Sequence, residues 1–183
     1  MSLLSKNHID AGKADEYAAR EDFCKLFTED MTGLYLLSLA LTANHETAEQ
    51  CFVAGLEDCV NGALAFKEWA HSWAKRRIIQ CAIRAIAPGA QHTNDASKLW
   101  NHSEEKPWLA AILELDTFER FAFVMSVLEG YSDQECSILL GCSREELANA
   151  RSQALKDLSK LNTDHPRFFE DASFHAAPNT QTF

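Results

Sequence analysis

The sequence predicts an all-α protein: two small helical domains joined by a flexible linker, the C-terminal one a helix-turn-helix. Three observations predict it. Apolar residues recur at threes and fours in almost every periodic segment, which is the spacing of one helix face. Pro88-Gly89 opens a polar stretch that interrupts this pattern. Two capping boxes, Ser132-x-x-Glu135 and Ser143-x-x-Glu146, stand on either side of Gly141. In such a box the serine oxygen accepts an orphan backbone N–H and the glutamate reaches back to another, so each box marks a helix start.

Residues 1–20 read as an N-terminal extension that alternates polar and charged side chains, without the apolar run of a secretory signal, and the expected compartment is the cytoplasm. From Glu21 to Leu41 the apolar positions Phe23, Leu26, Phe27, Leu34, Leu37 and Leu41 predict one helix. Asn44 is placed to cap the next, from about Glu46 to Asn61. A third runs from about Lys67 to Ala87 and stops at Pro88-Gly89, completing a domain over 21–87. Residues 88–107, rich in Gly, Asn, Asp, Ser and His, form the linker. The second domain, 108–161, opens with the short apolar piece Trp108 to Leu115. Asp116 or Thr117 then caps a helix through Glu129, Gly130 ends it, and the two capping-boxed helices follow, with Gly141 free to adopt the left-handed conformation between them. Residues 162–183 are polar, hold two of the four prolines and lack periodicity, which predicts a mobile tail.

Composition excludes several classes. No stretch approaches the roughly 18 consecutive apolar residues of a membrane span. The six cysteines (24, 51, 59, 81, 136 and 142) form no C-x-x-C pair, so buried thiols acting as small hydrophobes are expected rather than zinc or redox centres. The seven histidines show no H-E-x-x-H, and there is no phosphate loop or G-x-S-x-G elbow. No enzyme, metal or cofactor is predicted. A net charge of −10 argues against a generic basic nucleic-acid coat and leaves either local basic patches on an acidic body or no nucleic-acid binding at all.

One such patch lies on the third helix. On a wheel at roughly 100° per residue, Trp69, Trp73, Arg76, Arg77, Gln80 and Arg84 fall within about a 100° arc. Ile78, Ile79, Ala82, Ile83 and Ile86 form the opposite, core-facing stripe. Indole rings stack on unpaired bases while guanidinium groups neutralise phosphates, so this face has the makings of a single-strand grip. Tryptophans also close small cores and arginines also solvate helix faces, and the pattern leaves both readings open. The preceding helix carries Glu46, Glu49, Glu57 and Asp58 with no lysine or arginine, a surface suited to a basic protein partner or simply to water.

The order of these segments resembles the extracytoplasmic-function (group IV) sigma factors of the bacterial sigma-70 family, as a divergent member. Ala48-Glu49-Gln50-Cys51-Phe52 is similar to the polymerase-binding helix. Phe66 and then Trp73 to Arg84 resemble the segment that captures the melted upstream promoter element. Leu115-x-x-x-x-Arg120-x-x-Phe123-Val124 through Leu161 resembles the domain that reads the more distant element. The resemblance implies binding to core RNA polymerase through Ala48, Glu49, Gln50, Phe52, Val53 and Leu56. It implies promoter DNA held by the indole-arginine face and by Arg144, Asn149, Arg151, Ser152, Gln153 and Lys156, with an anti-sigma factor as a further partner.

The chain departs from the family pattern at several points. Gln50 stands where the family has aspartate and Val53 where it has glutamine; Glu145-Glu146-Leu147-Ala148 replaces Gly-Thr-Val-Lys at the start of the recognition helix. Basic positions further along are Ala150 and Gln153. On that helix Leu147, Ala150, Ala154, Leu158 and Leu161 form the apolar stripe, and Asn149, Gln153, Lys156 and Lys160 point away from it. Asn149 and Gln153 could read adenine edges. Arg151 lies only about 40° from the stripe centre and could brace the fold instead. Glu145 and Glu146 suit a helix N-terminus but repel phosphate there. Two other functions compete with a sigma factor: a sigma-shaped protein that binds an anti-sigma factor or polymerase without reading DNA, and a dimeric helix-turn-helix repressor, which fits the C-terminal half alone.

Overall fold

A single helix is expected over 21–41, but Asp30 divides this stretch in two. The computed structural model describes residues 16–62, 65–89 and 107–164, with side chains as far as residue 160. Most of the N-terminal extension, the linker and the tail predicted above lie outside these residues. Helix α1 is Arg20–Glu29 and α2 is Met31–Thr42. Asp30 sits between them at φ −110°, ψ 32°, off helical geometry. Its carboxylate meets His71 Nε2 at 2.7 Å, so a residue 41 positions away fixes the corner.

Helix α3 is His45–Asn61, and Asn44 caps it as expected, its Oδ1 accepting the Thr47 N–H at 2.9 Å. A 3₁₀ turn, Lys67–Trp69, leads into α4, Ala70–Ile86. The turn is pinned to the chain's start: Ala18 donates to the Ala65 carbonyl at 2.8 Å, and the Tyr17 and Phe66 rings stack 4.6 Å apart. Helices α2, α3 and α4 pack on one another around Leu34, Leu41, Ile78, Ile79 and Ala82. The α3–α4 approach requires glycine, since a Cβ at Gly55 would lie 2.7 Å from Ile78 Cγ1. Cys51, Cys59 and Cys81 are buried in this half, and burial pushes the Cys51 and Cys59 thiols up to about 11 and about 12.

Helix α5 is Pro107–Leu113 and α6 is Thr117–Phe123. The expected helix through Glu129 does not continue in α form. Val124–Leu128 widens into a π turn in which the Glu129 N–H reaches back five residues to the Val124 carbonyl at 2.9 Å. Helix α7 is Asp133–Leu140 and α8 is Arg144–Asp164. Both capping boxes form: Glu135 N–H donates to Ser132 Oγ at 3.3 Å and Glu146 N–H to Ser143 Oγ at 3.1 Å. Gly141 between the helices adopts φ 65°, a left-handed conformation that alanine would reach only with strain.

The described residues are helical and contain no β-strand, only an isolated Tyr17–Phe66 bridge. None of their helices is long and apolar enough to cross a membrane. The two sequence segments are not separated in space: one apolar cluster runs from Ala18 to Ala154, with α2 against α5 and α6. Arg120, 1% exposed, joins them. Its Nε donates to the Leu41 carbonyl at 3.2 Å, and its Nη1 to the Leu115 and Leu113 carbonyls at 2.8 and 3.4 Å. Burial pulls this guanidinium down to about 10, against the opposing charge of Asp116, so it stays protonated at neutral pH. Removing it strands three buried carbonyls. Arg120→Met should therefore lower the unfolding free energy in urea by about 3 kcal/mol. Arg120→Lys should lower it by about 2 kcal/mol, because an ammonium cannot reproduce the planar fork.

Candidate functional site

The polymerase stripe implied by the resemblance is partly on the surface. Glu46, Glu49, Gln50, Val53 and Glu57 are exposed along α3, and Val53 keeps 51% of its surface in solvent. Phe52 and Leu56 are half-buried, the Phe52 ring lying edge-on to Phe27 at 5.2 Å. Ala48 does not belong to this surface. It is fully buried, and its carbonyl accepts from Ser38 Oγ at 2.8 Å, which ties α3 to α2. The residues left on the surface form an acidic ridge with one exposed aliphatic side chain at its middle.

The indole-arginine face of α4 splits into two neighbourhoods. Trp69, Trp73 and Arg76 line an open groove of about 800 Å³ between α4 and the Glu129–Glu135 segment. Trp69 is 57% exposed, held edge-on by Phe66 at 5.3 Å. Arg77, Gln80 and Arg84 turn instead toward the end of α3. The Arg77 guanidinium stacks 4.5 Å over the Trp73 ring and donates to Gln80 Oε1 at 3.2 Å. Arg84 donates to Asp58 Oδ2 at 3.1 Å and to Cys81 Sγ at 2.9 Å. Six residues on one helical arc thus do not make one continuous surface. Among the described residues, neither Trp73 Nε1 nor Arg77 Nε has an acceptor although both are shielded from solvent.

Carboxylates from the C-terminal segment meet the cations of α4. Lys75 Nζ lies 2.9 Å from Glu129, and Arg76 Nη1 lies 4.0 Å from Glu135 Oε1. The other Glu135 oxygen accepts from Ser132 N and Oγ at 3.0 and 2.7 Å, so one carboxylate closes the capping box and faces the groove. Those Ser132 bonds, with Arg76 nearby, hold Glu135 below the usual carboxylate range. Burial pushes the neighbouring Tyr131 phenol up to about 12. The helical wheel of α4 could not reveal Glu129, Tyr131 and Glu135 opposite it. The capping box marked Glu135 for a structural role, but its pairing with Arg76 had no sequence signal.

On α8, Leu147, Ala150 and Ala154 are buried as the stripe requires, and Asn149, Ser152 and Lys156 are exposed. Three other candidates are engaged within the protein. Arg151 grips Asp133 through both nitrogens, at 2.5 and 3.4 Å, and braces α8 against the start of α7. Gln153 donates to Asp157 Oδ2 at 2.9 Å, and Arg144 donates to Gln134 Oε1 at 3.3 Å. Glu145 and Glu146 are exposed at the helix start, with Glu146 Oε2 accepting from Ser143 N at 2.8 Å.

Searches with protein-family models, against curated proteins and against solved structures find no match to this chain.

Acid should loosen the C-terminal helices. Asp133 is held low by its bond to Arg151, Glu135 by Ser132, Glu146 by Ser143 and Asp157 by Lys160. Each titrates lower in the folded protein than in the unfolded chain. Their stabilisation is complete above the ordinary carboxylate range and is lost as the pH falls through the folded values. The protection of α7 and α8 amides, taken relative to their intrinsic exchange rates at each pH, should fall below a pH of about 4. Protection there no more acid-sensitive than in α3 would contradict this. At neutral pH, Ser132→Ala and Ser143→Ala should each destabilise the protein by about 1 kcal/mol in urea unfolding.

Proposed function

We propose that this chain is a sigma-type transcription-initiation factor that works in the cytoplasm, binds core RNA polymerase and directs promoter recognition. In this reading 21–87 and 108–161 are the two functional units, α7 and α8 form a helix-turn-helix, and α8 is its recognition helix. The ridge of Glu49, Gln50 and Val53, flanked by Phe52 and Leu56, docks on polymerase. Trp69, Trp73 and Arg76 hold the unpaired bases of the melted upstream element. Asn149 and Ser152 face base edges, and Lys156 meets phosphate. The observation that carries the reading is the Trp69 indole, exposed in an open groove beside Trp73 and Arg76, a flat apolar surface of the kind on which an unpaired base stacks.

A second reading is favoured by the ion pairs. Arg84 with Asp58, Lys75 with Glu129 and Arg76 with Glu135 leave little uncompensated positive charge on α4. A sigma-shaped protein that binds polymerase or an anti-sigma factor without touching DNA would have such a surface. Transcription in vitro with core enzyme separates the two. The first reading expects core binding and promoter-dependent initiation. It also expects open-complex formation to fall about tenfold in Trp69→Ala, from loss of one stacked base, with an unchanged unfolding midpoint. Core binding without initiation, and without a promoter shift at low salt, would replace it with the second.

A further inference from the structure

The C-terminal segment meets the rest of the protein at two edges of different character. At one, α5 and α6 join α2 through apolar side chains and the buried Arg120. At the other, α4 faces the Glu129–Glu135 segment across the open groove, bridged by Lys75–Glu129 and Arg76–Glu135. We propose that this second edge is an autoinhibitory latch, in which Glu129 and Glu135 occupy the cations of α4 and keep Trp73 from a single-stranded nucleic acid. The proposal rests on the reading that α4 takes such a strand.

The physical argument is one of competition. A phosphate brings to Lys75 and Arg76 the same charge that the two carboxylates already supply, so strand and latch cannot both be satisfied. The Lys75–Glu129 pair is short and largely withdrawn from water, with side chains 30% and 12% exposed, and so holds the edge more firmly than a surface pair would. The Arg76–Glu135 pair is longer and more exposed, and is the contact an incoming strand meets first. In this proposal the apolar edge around Arg120 stays packed and serves as the hinge. The orphaned Trp73 Nε1 is consistent with a closed state that serves regulation rather than maximal stability.

The test is the double variant Glu129→Gln, Glu135→Gln in the full chain. Glutamine keeps the reach of a capping-box partner while removing the charge. Two readouts are taken: the solvent isotope shift of fluorotryptophan at position 73, assigned with Trp73→Phe, and the affinity for a fluorescein-labelled thymidine 12-mer at low salt. The latch predicts a larger isotope shift and about tenfold tighter strand binding. Lys75→Gln, which cuts the buried pair from the α4 side, should raise the isotope shift too, and the charge swap Lys75→Glu, Glu129→Lys should restore the closed value. Glu46→Gln, Glu57→Gln makes the same net-charge change on α3 and should move neither readout. An unchanged shift at Trp73 overturns the latch, as does an equal affinity gain in the α3 control. A raised shift without tighter strand binding supports the latch and overturns the reading of α4 as a strand-binding face.

Discussion

Three backbone carbonyls converge on one buried guanidinium, which ties α2, α5 and the turn into α6 together. Leu41 lies in the last turn of α2, Leu113 ends α5 and Leu115 lies in the turn into α6. Each lies where a helix leaves carbonyls without intrahelical donors. Arg120 answers them with a rigid fork and brings a positive charge to two negative helix ends. Its depressed pKa measures what burial takes away, and the hydrogen bonds offset it. Leucine would suit the apolar surroundings better but would leave the helix ends unanswered.

Electrostatics on the opposite edge follow another logic. The protein is acidic overall, yet four of its seventeen lysines and arginines, Lys75, Arg76, Arg77 and Arg84, share α4. Such a cluster, unpaired, would repel itself. Asp58 on α3, Glu129 beyond the π turn and Glu135 at the start of α7 distribute the compensation over three elements. No single neighbour neutralises the face. Trp69 remains in solvent throughout, at the groove's outer end.

Features that depend on neighbours in sequence were legible. Asn44 caps α3, both serine–glutamate boxes form, and Gly141 is left-handed, because each needs only the next few residues. Arg151 was readable as a brace from its angle to the apolar stripe. What distant partners decide was not legible. The corner at Asp30 is held by His71, and Arg120 reaches Leu41 across 79 residues. Neither leaves a periodic trace. The wheel placed Arg77, Gln80 and Arg84 on one arc with Trp69, but an arc wider than one neighbour's footprint meets more than one surface. Ala48 was assigned to an interface by motif position, while its carbonyl was needed inside by Ser38.

The π turn at Val124–Leu128 has a geometric corollary. One residue beyond regular winding offsets everything downstream by about 100° around the axis of α6. Restoring ordinary winding there by deleting a single position would swing Glu129 away from Lys75, whatever residues remained. The segment works as a keyed joint between α6 and α7, whose length rather than composition sets the azimuth of the last two helices.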